Sequence, residues 1–369
     1  MSQDTQNTMS QMKVQTGRQD SRNMNAAPSR QEARVSRPDK VARDSSQTEA
    51  WDDSLTDNSD SMTGVRDRAY RTHCLVQNYI FIQNPLTRLP NAIQTHRTNF
   101  SHTMSRMPKL PCKTVESALQ ELEELGLGCN EDSVVDFWRT NIFPRNRDLT
   151  APLVVMAGIH MDRHLLPDHP EAPAPVQQPR PDLLYGYLVT AFTNKQYSTL
   201  ASLFLEPLSE PLLPFLVVEY KTGASPGSNL WVAANQCAGG SVASLQAADH
   251  VNAALVQAGG RKFLNICYSF AIDNHLAFLY LTRMNKGRFK MQRVDVFLLL
   301  RKEDFVRFHQ CVATIFQWAE ERLNDMLCAL DTIRDGPADE GEGEDDEGDD
   351  EDESEVEEYT SQSEHLDKD

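Results

Sequence analysis

Apolar positions first fall into a regular spacing after Lys109. Val115, Ala118, Leu119, Leu122 and Leu125 recur at three- and four-residue steps, the interval that places side chains on one face of a helix. Thr114 is the expected N-cap, and Gly126 and Gly128 the stop. A second, shorter helix is predicted after Asn130, burying Val134, Val135, Phe137, Trp138 and Ile142 and ending at Pro144. The proline-rich stretch from Pro167 to Pro181 suits neither helix nor interior strand and reads as a surface loop.

Two strands are predicted next, at 182–189 and 215–221, joined by a helical link around Tyr197 to Leu205. The four apolar residues Phe215 to Val218 do not alternate with polar ones, as expected of a strand covered on both faces. A turn at Gly223 to Ser228 leads to Asn229, which can cap a long helix running through Trp231, Cys237, Leu245 and Leu255, weakened locally by Gly239 and Gly240. Ile266, Tyr268 and Phe270, then Leu276, Phe278 and Tyr280, alternate around Asp273 and Asn274 as a β-hairpin does. A strand at 293–300 and a long amphipathic helix from Phe305 to Leu330, ending near Gly336 and Pro337, complete the series. This order predicts an α/β (α+β) fold, a mixed central sheet flanked by helices.

Composition sets the expected boundaries. Residues 1–109 are rich in Ser, Gln, Asn, Asp, Arg and Thr, and read as a disordered polar arm that buries too little apolar area to offset chain entropy. Residues 110–335 are the expected folded domain, and 336–369 an acidic disordered tail. From Asp339 to Asp369 there are 18 acids and 1 base, so this segment supplies −17 of the formal −18. The remaining 36 acids and 35 bases nearly cancel, and the low pI therefore describes the tail alone. Such a tail can bind basic proteins or simply solvate the chain, while the scattered arginines of the arm offer only weak contact with nucleic acid.

No apolar run is long enough to span a membrane, and the N-terminus lacks a signal-peptide pattern, so the nucleus or cytoplasm is the expected location. The seven cysteines are widely spaced without a CxxC pair, which argues against a disulfide frame or zinc site. His160 and His164 have a helical zinc spacing but stand beside Asp162-Arg163 and a proline-rich segment, and read as surface residues. The Gln236-Cys237-Ala238-Gly239-Gly240 stretch has a cysteine without an assignable histidine partner.

The informative chemistry is Pro181-Asp182 at the start of one strand and Glu219-Tyr220-Lys221 at the end of the next. Alternate residues of a strand share a face, so Glu219 and Lys221 point together and Tyr220 points away. If the two strands are neighbours, Asp182 joins them. Two adjacent carboxylates repel unless a proton or a cation lies between them. Mg²⁺ (or Mn²⁺) held there could neutralise a phosphodiester and activate a water, with the lysine steadying the transition state. The plainer alternative for Glu219 and Lys221 is an end-of-strand surface ion pair.

Arg180-Pro181-Asp182 followed by Val217-Val218-Glu219-Tyr220-Lys221 resembles the PD-(D/E)XK nuclease superfamily pattern, and the Asn229 to Gly240 stretch is similar to the helix of a fungal family of uncharacterised proteins with that core. The resemblance implies a restriction-endonuclease-like core, Asp182 and Glu219 as metal ligands, Lys221 as the catalytic lysine and Gln236 on the helix beside the site. DNA or RNA is the substrate it implies. It also implies a further acid from the first helices, for which Glu116, Glu131 and Asp136 stay open, and an inserted helix among the 36 residues between Asp182 and Glu219. The alternative is a catalytically inactive nuclease-fold interaction protein that works through its tails.

Overall fold

The computed structural model describes residues 64–126, 131–149, 152–204, 208–221 and 229–335. The expected arm before residue 64 and the acidic segment after 335 lie outside the described residues, as do Asn130 and the turn at 222–228. One seven-stranded sheet organises the fold, in the order β1-β7-β6-β5-β4-β3-β2. The strands are β1 (Ile80–Gln83), β2 (Leu153–Met156), β3 (Leu183–Tyr187), β4 (Leu212–Tyr220), β5 (Ile266–Ile272), β6 (Leu276–Asn285) and β7 (Arg288–Leu298). Two neighbouring pairs are parallel, β1 with β7 and β4 with β5, and the other four are antiparallel. The sheet is therefore mixed, as expected.

The α-helices are α1 (Asn91–Arg106), α2 (Cys112–Gly126), α3 (Glu131–Asn141), α4 (Asn194–Ser202), α5 (Leu230–Gln257) and α6 (Lys302–Asp335). Helix α5 is the crossover between parallel β4 and β5, the connection a parallel pair requires. It starts where expected, because the Asn229 side chain accepts from the Val232 N–H at 3.0 Å. Thr114 lies inside α2 rather than capping it. The helix inserted between β3 and β4 is α4, fixed by a capping box in which Thr193 and Gln196 satisfy each other's backbone N–H groups.

The polar-arm expectation is corrected at residues 64–109. Within this stretch Tyr70, Cys74, Leu75, Ile80, Leu89 and Ile93 are buried, β1 extends the sheet beside β7, and α1 packs on α6. These elements carry little apolar periodicity because polar groups anchor them. His96 hydrogen-bonds to the Tyr268 hydroxyl at 2.7 Å, and Arg97 donates to the Val294 carbonyl at 2.8 Å. The domain thus begins by residue 70 at the latest. Strand β2 was also absent from the sequence reading; it is four residues long and lies at the opposite edge.

The proline-rich loop is irregular, as expected, yet it is tied down. Val176 is fully buried, the Met161 N–H donates to Pro179 O at 3.0 Å, and the Gly158 N–H donates to Pro181 O at 2.9 Å. This anchoring delivers the chain to β3 in a fixed register. At Gly186 of β3 an added Cβ would lie 2.7 Å from the Leu212 carbonyl oxygen, so the close approach of β4 there requires glycine.

Candidate functional site

The register of β3 against β4 assembles the site. Leu183 lies opposite Val218 in the antiparallel pair, which brings Asp182, one residue earlier, opposite Glu219. The Tyr220 N–H donates to Asp182 Oδ2 at 2.6 Å, fixing that carboxylate at the end of β4. Lys221 leaves the strand with its N–H donating to Ile272 O of β5 at 2.8 Å. Its Nζ lies 3.8 Å from Glu219 Oε2 and 4.0 Å from Asp182 Oδ2, and donates to the Tyr220 carbonyl at 2.7 Å. Asp182, Glu219 and Lys221 are therefore together, as the strand geometry predicted.

Burial grades across the three. The Glu219 side chain is 1% exposed, Lys221 11% and Asp182 29%. A surface ion pair would be far more open, so the plainer reading of Glu219 and Lys221 does not describe them. Burial pushes the Asp182 carboxyl above its ordinary value, against the pull of the Lys221 ammonium, the Tyr220 N–H, a hydrogen bond with the Glu219 carboxyl, and Arg180. A hydrogen bond between two carboxyl groups needs a proton between them. The same place suits a divalent cation, since hard oxygen donors on adjacent strands are what Mg²⁺ or Mn²⁺ takes. Among the described residues no group of three or more His, Cys, Asp and Glu side chains is placed to hold a metal.

Helix α5 forms the wall over Glu219. Paired residues point to the same side, so Val217 and Ser269, then Glu219 and Ala271, face this helix. A Cβ added to Gly240 would come within 3.0 Å of Val217 Cγ1, which shows how closely the helix lies on β4. Cys237 on the same helix is buried and donates to Phe270 O at 3.3 Å. Burial, and then the Glu219 charge, push its thiol well above the ordinary value, which removes it as a nucleophile.

Gln236 lines a neighbouring cavity of ≈ 70 Å³ with Val65, Tyr70, Arg180, Asn235 and Gly239. Its buried Oε1 has no hydrogen-bond partner among the described residues. Beside it, Asn235 is fully buried and bridges the N-terminal segment, accepting from Arg71 Nε at 2.7 Å and donating to Val65 O at 2.9 Å. Of the three acids left open in the first helices, Glu116 pairs with Lys302 at 3.0 Å, Asp136 is exposed on α3, and the Glu131 side chain lies outside the described residues. His160 and His164 are exposed. Sequence reasoning missed Arg180, whose charge acts on Asp182 and whose Nε donates to Gly158 O at 2.8 Å. Its position directly before Pro181-Asp182 was the available signal. It also missed Ser269, which only tertiary pairing brings beside Cys237.

Fold and site together define an α/β domain with a buried acid, acid and lysine cluster at the end of a central strand. The chain belongs to the family described as Domain of unknown function (DUF7924), whose model matches residues 118–330. That span holds the whole cluster and leaves out β1 and α1. No curated protein and no solved structure matches the chain. No described helix is long and apolar enough to cross a membrane.

Proposed function

We propose that this domain is a metal-dependent phosphodiesterase of the PD-(D/E)XK type, cutting DNA or RNA. The observation that carries the reading is the register that sets Asp182 opposite Glu219, with Lys221 Nζ within 4.0 Å of both. Asp182 and Glu219 would hold Mg²⁺ or Mn²⁺, which supplies charge neutralisation at the phosphate and a more acidic bound water. The protein's own share is positional. The Tyr220 N–H aims the Asp182 carboxylate, β4 buries Glu219, and the Lys221 ammonium is available to orient a water and offset the charge gathering on the phosphate. The resemblance to fungal proteins with this core supports the same roles.

The test is cleavage of labelled DNA and RNA by the full-length chain with Mg²⁺ or Mn²⁺, alongside Glu219→Ala and Lys221→Ala. Cutting by the wild type that both variants lose is the expected result. No cutting by the wild type, or cutting that survives in both variants, overturns the reading.

One observation favours a second reading, an inactive nuclease-fold interaction protein. Lys221 Nζ lies within 4.0 Å of both carboxylates and donates to the Tyr220 carbonyl at 2.7 Å, an arrangement that a purely structural ion-pair cluster would also adopt. In that case the segment carrying −17 would do the work by binding basic partners. Its signature is a wild type that binds such partners, loses that binding when residues 336–369 are removed, and keeps it in Glu219→Ala.

A further inference from the structure

The first turns of α2 and α6 carry a cluster that the site on β4 does not use. Cys112 opens α2 and Lys302 opens α6, 190 positions apart in sequence, with Lys302 Nζ 2.7 Å from Cys112 Sγ. Glu116, one helical turn along α2, accepts from Lys302 Nζ at 3.0 Å and from the Cys112 thiol at 3.3 Å. All three are open to solvent: Cys112 is exposed, and the Lys302 and Glu116 side chains are 42% and 62% accessible. Sulfur is larger than oxygen, so an N–H group meeting an unmodified thiol settles with nitrogen and sulfur roughly 3.3 Å apart or more. The contact here is well inside that distance. One oxygen atom singly bonded to both would hold sulfur and nitrogen at a similar spacing.

We propose that Cys112 and Lys302 are a modification site, joined under peroxide by a sulfur–oxygen–nitrogen bridge that ties the start of α2 to the start of α6. The oxidant is hydrogen peroxide, two molecules per bridge. The first oxidises the Cys112 thiol to a sulfenic acid: an S–O bond forms, the O–O bond breaks and water leaves. The Lys302 ammonium loses its proton to solvent, while the Glu116 carboxylate 3.0 Å away keeps its charge. The second peroxide oxidises the freed amine to a hydroxylamine, forming an N–O bond and releasing water. The hydroxylamine oxygen then attacks the sulfenic sulfur, the S–OH bond breaks, and a third water leaves. Sulfur and nitrogen each lose two electrons, and each peroxide accepts two. A thiol reductant opens the bridge by attack at sulfur, which releases Lys302 as its hydroxylamine, and a second thiol then frees the Cys112 thiol as the reductant's disulfide forms.

Cys328 is the internal control, since it is also exposed and has no lysine contact of this kind among the described residues, whereas Cys74, Cys237, Cys267 and Cys311 are buried. The experiment treats the full-length chain with hydrogen peroxide, digests it, and analyses the peptides by mass spectrometry before and after dithiothreitol. The expected product joins the Cys112 and Lys302 peptides with a gain of about 14 Da over their sum. It disappears on reduction and is absent from Lys302→Arg and Cys112→Ser, both surface changes. The oxidised wild type also unfolds at a higher temperature than the reduced one, a shift neither variant shows. Separate peptides in the oxidised wild type, with Cys112 only as sulfenic or sulfinic acid, would overturn the proposal. So would the same joined product in Lys302→Arg.

Discussion

The two faces of the sheet are built from different materials. Under α6 the residues are large and aromatic: Tyr185, Tyr187, Tyr220, Tyr268, Phe270 and Phe297 are buried there, with Phe143 and Phe308 wedged between helix and sheet. Under α5 the packing is closer: Gly240 lets the helix lie against Val217 on the face shared with Glu219, Gly239 makes room for Val176 and Pro179 of the proline-rich loop, and Ala233, Ala234 and Ala238 of the same helix are buried. Aromatic packing buries large apolar side chains, whereas close small-residue packing makes a low-dielectric wall beside two carboxylates. Tyr220 and Glu219 are neighbours in one strand, yet one belongs to each regime. The lesson is that stability and chemistry are divided by the pleat of β4.

Changes on the two faces should therefore separate. Glu219→Gln, on the α5 face, should lower phosphodiester cleavage by about 10³-fold or more while leaving the denaturation midpoint unchanged or raised, since it removes a buried charge. A parallel loss of stability and activity would break the division. Phe308→Ala, on the α6 face, removes a ring within 5.1–5.9 Å of Trp138, Phe143, Phe270 and Phe297. It should cost about 3–5 kcal/mol in denaturant unfolding and leave cleavage by the folded fraction intact.

Gly240→Ala is a finer probe. The new Cβ would sit 3.0 Å from Val217 Cγ1 and 3.3 Å from Cγ2 on a stiff branched side chain. Overpacking outweighs the gain in helix propensity, for a net loss of about 1 kcal/mol, and the displaced helix weakens metal binding measured by titration. A stabilised variant with unchanged metal affinity would mean that α5 is not held tightly against the site.

The smallest effect concerns pH. Burial raises the Asp182 carboxyl, so the folded state holds its proton more firmly than the unfolded chain does. Stability should accordingly fall as pH rises from the ordinary carboxyl range through the raised folded value, the side on which the folded state binds more protons. Asp182→Asn should flatten that slope in urea titrations over the same range, and a wild-type slope of opposite sign would contradict the burial account.

Much of this was legible in the sequence because it rests on local periodicity. The α2 stripe of Val115, Ala118, Leu122 and Leu125 and the unbroken apolar run before Glu219 both held. The acid, acid and lysine cluster followed from the pleat alone once β3 and β4 were neighbours. The N-terminal boundary was not legible. In α1 only Ile93 is buried, so the helix lacks a stripe, and its attachment through His96 and Arg97 depends on partners 172 and 197 positions away. The four-residue strands β1 and β2 were too short to show a pattern. A fragment starting at residue 110 would lose β1 and α1, which is why the full chain is the right object to test.

The most direct measurement is a calorimetric Mn²⁺ titration of the full-length chain beside Glu219→Ala. The acidic segment contributes weak sites to both proteins, so the difference between them is the quantity of interest. The account predicts one site more in the wild type, lost in the variant with its fold intact by circular dichroism. Identical titrations of the two proteins would contradict it.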